Sequence, residues 1–312
     1  MRFAIIGVGA VGGYFGARLA QAGEDVVFIA RGDTLNALKS DGLRLDSLNG
    51  DFLLSSVNAV DNTAQAGMVD VVIVGVKTWQ VPEVAGSIQP LLGEDTIVLP
   101  LQNGVEAATQ LAEILGREYV CCGLAKIFSF LAGPGHIRHT GIDPYIAFGE
   151  CDNRRSGRVK KLQQVLQHAG INAEIPPDIM VALWEKFLFV VSWGGIGAIS
   201  RAPIGAIRRL PRTRRLLEQA MHEVLNVARA RNVNLHEDVV DRSMAFIDTL
   251  PPVGTTSMQR DIAEGRPSEI DAWNGAVVRF GDEAGVNVAL HRFIFDCLQP
   301  LELNARGEIS FL

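Results

Sequence analysis

Lys186 sits inside an apolar stretch, Ala182-Leu183-Trp184-Glu185-Lys186-Phe187-Leu188-Phe189, where an ammonium group needs a physical reason to be present. Burying it unpaired is costly. It therefore either snorkels, with its stem on apolar surface and its head in water, or faces a cleft. In a cleft, a protonated lysine serves as a general acid toward a developing alkoxide. Three further segments offer polar groups to such a reaction. Lys77 follows the almost unbroken apolar run 69–76, in Val76-Lys77-Thr78-Trp79-Gln80. Gln102-Asn103-Gly104 follows a second apolar run, 96–101. Ser257-Met258-Gln259-Arg260-Asp261 leads into Arg266-Pro267-Ser268-Glu269-Ile270-Asp271. A serine hydroxyl can bind a carboxylate or an alcohol, and the Glu269 carboxylate can pair with a lysine. Plainer readings stand beside these: Lys77 as a surface cation, Asn103-Gly104 as a turn, and Ser268 as the N-cap of a helix starting at Glu269.

The elements that must position these groups begin at the amino terminus. Phe3-Ala4-Ile5-Ile6 reads as a short strand running into Gly7-Val8-Gly9-Ala10-Val11-Gly12, with a helical pattern through Leu19. In G-x-G-x-x-G the first glycine permits the tight turn, the second the approach of a pyrophosphate, and the third close packing of helix on strand. The N–H groups at the helix start then face the phosphates. Val26-Val27-Phe28-Ile29 is the second strand on schedule. An NAD site places Asp or Glu near the end of that strand, whereas this chain has Ala30-Arg31-Gly32, with Asp33 after it. A guanidinium pairs bidentately with a 2′-phosphate and a carboxylate repels it, so Arg31 points to NADP(H). Its plainer reading is a solvated loop residue. Ligands in open α/β sheets bind beyond the carboxyl ends of strands, which places Lys77 and Asn103 toward the same crevice.

Strands alternate with helical stretches through the first half, with later strands at 119–124 and 145–149, as a doubly wound sheet requires. After Ile175-Pro176-Pro177-Asp178 the pattern becomes helical, over 179 to about 199, 216–231, 237–247 and 269–284. This predicts an N-terminal dinucleotide domain over residues 1–177 and an all-α domain over residues 178–312, with the active site in the cleft between them. At 312 residues and 48% hydrophobic content, both can bury a core. The net charge of −6 argues against a broad nucleic-acid surface. The run Arg208, Arg209, Arg212, Arg214 and Arg215 reads as a solvated helix entrance. Residues 187–199 are too few and too glycine-rich for a membrane span of about 20 residues. Cys121, Cys122, Cys151 and Cys297 show no disulfide-framework spacing, which predicts a reducing, cytoplasmic setting. His136 and His139 lie three apart with no acidic or Cys cluster beside them, so no metal site is expected. Apolar helical faces after Ile179 either close a homodimer or complete the domain.

The ordered set resembles the ketopantoate reductase family, the 2-dehydropantoate 2-reductases, across essentially the whole chain. The resemblance rests on Gly7-x-Gly9-x-x-Gly12, Arg31, Val76-Lys77-Thr78-Trp79-Gln80, Gln102-Asn103-Gly104-Val105, Trp184-Glu185-Lys186, and Ser257-Met258-Gln259 through Gly265-Arg266, Glu269-Ile270-Asp271 and Asn274-Gly275. It implies a Rossmann-type domain joined to a helical domain like that of 6-phosphogluconate dehydrogenase, reducing the ketone of 2-dehydropantoate with NADPH to pantoate. By position, Lys186 resembles the general acid, Glu269 its ionic partner, Asn103 the asparagine near the reacting centre, and Ser257 the substrate-binding serine. Arg31 and Lys77 resemble the cofactor residues, with Gly7 to Gly12 and, through their contacts at the reacting centre, Asn103 and Glu269. One departure stands out: members often carry asparagines at the positions held here by Val190 and Gly194. A less polar 2-oxo acid, a hydroxy acid handled by the same architecture, or an NADP(H) sensor without turnover are the alternatives.

Overall fold

A computed structural model of the chain describes residues 1–311. They form two compact units: Met1–Gln102 with Glu106–Ile179, and Asn103–Val105 with the chain from Met180 onward.

In the first unit, β1 (Arg2–Ile6) leads to α1 (Ala10–Gln21), then β2 (Asp25–Ile29) and α2 (Gly32–Ser40). Next come β3 (Leu43–Ser47), β4 (Phe52–Leu54), β5 (Asn58–Val60), β6 (Val69–Val74), α3 (Val81–Ile88), β7 (Leu92–Pro100) and α4 (Ala107–Leu115). The unit closes with β8 (Cys121–Gly133), β9 (His136–Glu150), α5 (Gly157–His168) and β10 (Asn172–Glu174). One parallel sheet has the order β5-β2-β1-β6-β7. Its centre is apolar on both faces because helices cover both. Phe3 and Ile5 of β1 pack into the core that holds Phe15 and Leu19 of α1, while Ala4 and Ile6 pack into the opposite core with Val81, Val84 and Ile88 of α3.

The strands expected at 119–124 and 145–149 are longer than their apolar cores and leave the parallel sheet. As β8 and β9 they pair antiparallel and belong to a second sheet, ordered β10-β9-β3-β4 with β8 on β9. The helix α1 lies between the two sheets, and its glycines make that possible. A Cβ at Gly16 would lie 2.6 Å from the Phe28 ring and 2.8 Å from Ile5 of the first sheet, and one at Gly13 would collide with Ile137 of the second.

The pairing of β8 with β9 also corrects the cysteine reading. Cys122 and Cys151 form a disulfide, their Cα atoms 5.2 Å apart. Their separation of 29 residues carries no signal of this, since strand register brings them together. Cys121 beside them remains a buried free thiol, which burial pushes up to about 12. The two histidines are absorbed by structure: His136 bonds Asp46 at 2.8 Å, and His139 receives a hydrogen bond from Ser47 at 2.8 Å while its Nε2 donates to the Ile142 carbonyl.

The second unit is helical: α6 (Ile179–Ser200), α7 (Ile204–Arg209), α8 (Pro211–Ala230), α9 (Val239–Thr249), α10 (Ser257–Ala263), α11 (Ala276–Ala284) and α12 (Ala289–Ala305). With 22 residues, α6 is longer than the apolar run 187–199 suggests, and by length and composition it could cross a membrane. Most of it is buried within the protein, with Leu183, Trp184, Phe187, Leu188, Val191 and Trp193 in the core, which accounts for its apolarity on every side. Its first N–H, at Ile179, donates to the Asn153 side chain. The arginine run is structural in part. Arg208 donates to the Ile247 and Leu250 carbonyls at the end of α9, and Arg214 holds Asp248 in a two-point contact at 2.7 and 2.9 Å.

Glu150, at the end of β9, is the most heavily bonded carboxylate of the first unit. Arg158 grips both oxygens at 2.8 and 2.7 Å, and Ser156, the N-cap of α5, donates at 2.7 Å. Burial alone would raise its pKa, but the bonds from Arg158 and Ser156 outweigh that and hold the carboxyl below its ordinary value of 4.5. A carboxylate depressed in the folded state stabilises above its ordinary pKa, and that contribution is lost as pH falls through the folded value. Urea unfolding should thus show stability declining below pH 4.5. Glu150→Gln should remove part of that decline and cost about 3 kcal/mol at pH 7, because it leaves Arg158 without its buried partner.

Candidate active site

The nucleotide half of the site grows from the end of β1. Gly7 turns the chain at φ +89°, a conformation open to glycine. A Cβ there would lie 2.7 Å from the Val76 nitrogen and 2.8 Å from the Gly75 carbon, so the two strand ends meet backbone to backbone. The ladder continues one step past the strands, with Gly75 N–H donating to the Ile6 carbonyl at 2.8 Å. At Gly12 a Cβ would collide with the Gly7 carbonyl, while at Gly9 it would meet nothing within 4 Å. The first and third glycines are thus required by packing, and the second leaves open space. The helix α1 starts at Ala10 with no side chain capping it, so its N–H groups and dipole are left for an anion. Gly7, Gly9 and Gly12, with Val8, Ala10 and Val11 between them, fit a dinucleotide pyrophosphate on these observations.

Arg31 stands at the N-cap position of α2 in an extended conformation, makes no capping bond through its side chain, and is exposed. Its guanidinium reaches Glu83, in the first turn of α3, at 3.2 Å. Lys77 begins a 3₁₀ turn just beyond β6: its N–H donates to the Gln80 side chain, its carbonyl accepts from Gln80 N–H, and its ammonium lies 5.9 Å from the Trp79 ring. Gln102 is a positioning residue that the sequence motif contains but does not explain. Its buried amide donates to the carbonyls of Val74 at 3.1 Å and Val76 at 3.0 Å, tying the chain after β7 to the peptide that precedes Lys77. Nothing in the spacing reveals this bond, because its partners lie 26 and 28 residues away.

The second unit holds the other four expected residues. Lys186 is half-buried on α6. Glu269 is buried, and its neighbour Ser268 is fixed by Glu302, which accepts from the Ser268 N–H at 2.8 Å and hydroxyl at 2.6 Å. Ser257 is the first residue of α10, whose N-cap is Thr256, and is half-buried. Asn103 is half-buried and belongs to this unit with Gly104, whose φ of +104° brings the backbone close to the Ala272 carbonyl. The helix expected over 269–284 does not run regularly. Residues Asp271–Gly275 form a π-turn, with Gly275 N–H reaching back to the Ile270 carbonyl, before α11 begins. Ser268 still makes the N-cap contact ahead of this segment: its hydroxyl accepts from Ile270 N–H at 3.3 Å, and Trp273 N–H reaches the Glu269 carbonyl at 3.0 Å before the π-turn sets in. Such π-turns concentrate at functional sites because they re-aim side chains.

Four and eight residues beyond Lys186, Val190 and Gly194 share its face of α6. The space at Gly194 is taken: a Cβ would lie 2.6 Å from the Trp273 ring and 3.2 Å from Met258. Behind Trp273, Asn274 donates to His291, whose other nitrogen donates to the Ala220 carbonyl. Burial depresses the pKa of that imidazole.

Residues 3–153 match the family described as ketopantoate reductase PanE/ApbA, and residues 178–302 match its C-terminal counterpart. The chain is 32% identical to a 2-dehydropantoate 2-reductase of Nostoc sp., over 99% of its own length and 98% of that protein's. Among solved structures it is similar to the 2-dehydropantoate 2-reductase of Geobacter metallireducens, with a TM-score of 0.91 and 32% identity, covering 96% and 99% of the two chains. A D-mandelate dehydrogenase solved with NADH and anilino(oxo)acetate shares the fold, with a TM-score of 0.90 at 24% identity, covering 98% and 99%.

Gly7→Ala tests the backbone contact at the heart of the glycine turn. It forces an L-residue into positive φ and a methyl group into the Val76 peptide, at a combined cost of about 3 kcal/mol. Urea unfolding should register that loss, and nicotinamide dinucleotide binding by titration should fall at least about tenfold.

Proposed function

The chain belongs to the ketopantoate reductase family, and from that premise we propose that it reduces a small 2-oxo acid with NADPH, converting 2-dehydropantoate to (R)-pantoate for pantothenate synthesis. NADPH, when bound, supplies the hydride. The chain's own residues do the rest. The N–H groups at the start of α1 hold the pyrophosphate, Arg31 takes the 2′-phosphate, and Lys77 adds positive charge beside the cofactor. Lys186 delivers a proton from its ammonium to the carbonyl oxygen of the substrate as negative charge builds there. Glu269 orients that ammonium and keeps it charged. Ser257 binds the substrate carboxylate or hydroxyl, and Asn103 orients the reacting carbonyl. The setting proposed for the reaction is the cytoplasm, although the Cys122–Cys151 disulfide removes the cysteine argument for it.

The observation that carries this reading is Lys186 itself. It is half-buried on a largely apolar helix whose other charged residue, Glu185, is paired with Arg242 at 2.9 Å, and it lies in the same compact unit as Glu269, Ser257 and Asn103. The packing around Glu269 supports the assignment, since Glu302 and Ser268 fix the backbone on which the carboxylate stands.

A second reading, reduction of a less polar 2-oxo acid, draws on the face of α6 beyond Lys186. Val190 offers no hydrogen bond there, and the space at Gly194 is filled by the indole of Trp273. A pocket built to bond a substrate hydroxyl rejects analogues lacking it by orders of magnitude, and an apolar wall does not. Assays with 2-dehydropantoate and with its analogue lacking the 4-hydroxyl separate the two readings. Lys186→Ala should lower kcat about 10²- to 10⁴-fold and leave the NADPH dissociation constant within about twofold, since the ammonium acts on substrate. Near-normal turnover in that variant would move the proton donor elsewhere.

A further inference from the structure

The order of the parallel sheet gives the Arg31–Glu83 contact a place in cofactor recognition. In β5-β2-β1-β6-β7, the strands β2 and β6 flank β1. Arg31 lies just past the end of β2, and Glu83 belongs to the first turn of α3, the helix that follows β6 and the Lys77 turn. Their 3.2 Å ion pair therefore joins the segments that follow the two strands on either side of β1, whose own end is the Gly7–Gly12 turn. Arg31 is 72% exposed and Glu83 64% exposed. A pair so exposed is weak, worth a few tenths to about 1 kcal/mol. It can be exchanged rather than locked. A phosphate offers the same guanidinium a two-point, charge-assisted contact and a higher charge.

We propose that Glu83 is a cofactor-specificity residue. In the free protein its carboxylate occupies the guanidinium of Arg31, and a 2′-phosphate must displace it to bind. Glu83 thereby weakens NADPH binding and leaves NADH, which has no 2′-phosphate to place on Arg31, unaffected. The inference rests on the reading of Arg31 as the 2′-phosphate residue. Glu83 has a second position-dependent effect, as an acid in the first turn of α3 where it complements the helix dipole. That effect acts on stability and does not distinguish the two cofactors. The other charged groups nearest in sequence, Asp33 in the first turn of α2 and Lys77, bear equally on wild type and variant.

The test is a set of dissociation constants for NADPH and NADH, measured by fluorescence titration at low ionic strength. Wild type, Glu83→Gln, Arg31→Gln and the double variant are compared. Both side chains are exposed, so folding is not at stake, and thermal unfolding checks it. Glu83→Gln should tighten NADPH about two- to fivefold with NADH unchanged, and the gain should vanish in the Arg31→Gln background. Adenosine 2′,5′-bisphosphate should gain by the same factor, and AMP should not. An equal shift for both cofactors, no shift, or a gain that persists without Arg31 overturns the role of Glu83, while a weakening of NADPH by Arg31→Gln still supports the arginine. If Arg31→Gln leaves NADPH binding intact, the reading of Arg31 fails, and the role of Glu83 with it.

Discussion

Close backbone contact at the junction of β1 and α1 is the constraint on which the rest of the first unit depends. Gly7 lies against the Gly75–Val76 peptide, Gly12 against the Gly7 carbonyl, and Gly16 against Ile5 and Phe28. Interiors pack as densely as organic crystals, so a single methyl group at any of these places must displace backbone or a ring. The approach that brings strand ends together also leaves the first N–H groups of α1 without side-chain caps. Close packing and an uncapped helix start thus draw on the same small residues. Gly13 adds a role outside the dinucleotide motif, because it admits Ile137 and seats α1 on the second sheet.

The helical unit is organised around buried polar contacts rather than around glycine turns. Glu223 accepts the N–H groups of Leu290 and His291 at the start of α12, and His291 links Asn274 to α8. Glu302 meanwhile holds Ser268 and pairs with Arg306. These bonds fix both sides of the irregular segment from Ser268 to Gly275. The change from regular helix to π-turn is visible in the bonding: Trp273 N–H reaches the Glu269 carbonyl in the ordinary way, whereas Gly275 N–H reaches one residue further back, to Ile270. Gly194 and Gly195 on α6 leave the space that Trp273 and Asn274 fill.

The parallel sheet was legible because its strands are buried on both faces and so carry continuous apolar runs, and because glycine spacing marks the turn into α1. Of the helices after Ile179, α6, α8 and α9 were legible from periodicity, although α8 starts at Pro211, earlier than its apolar pattern; the helix past Glu269 is broken, and α7, α10 and α12 were not read. What escaped depends on partners distant in sequence. The second sheet requires the pairing of β3 with β9, residues some ninety positions apart, and the disulfide requires the register of β8 on β9. In the candidate site, residue types next to strand ends were legible, whereas the bonds that orient them were not. Arg31 was readable as a cation after β2; that Glu83 meets it follows only from the order β2-β1-β6.

The amide of Gln102 makes Lys77 and Asn103 mechanically dependent on each other. Gln102 precedes Asn103 by one peptide bond and holds the carbonyl of Val76, the residue before Lys77. A shear of one loop therefore pulls the other through a single planar group. Two loops that leave different strands are thus tied together through one buried side chain, in addition to the sheet beneath them.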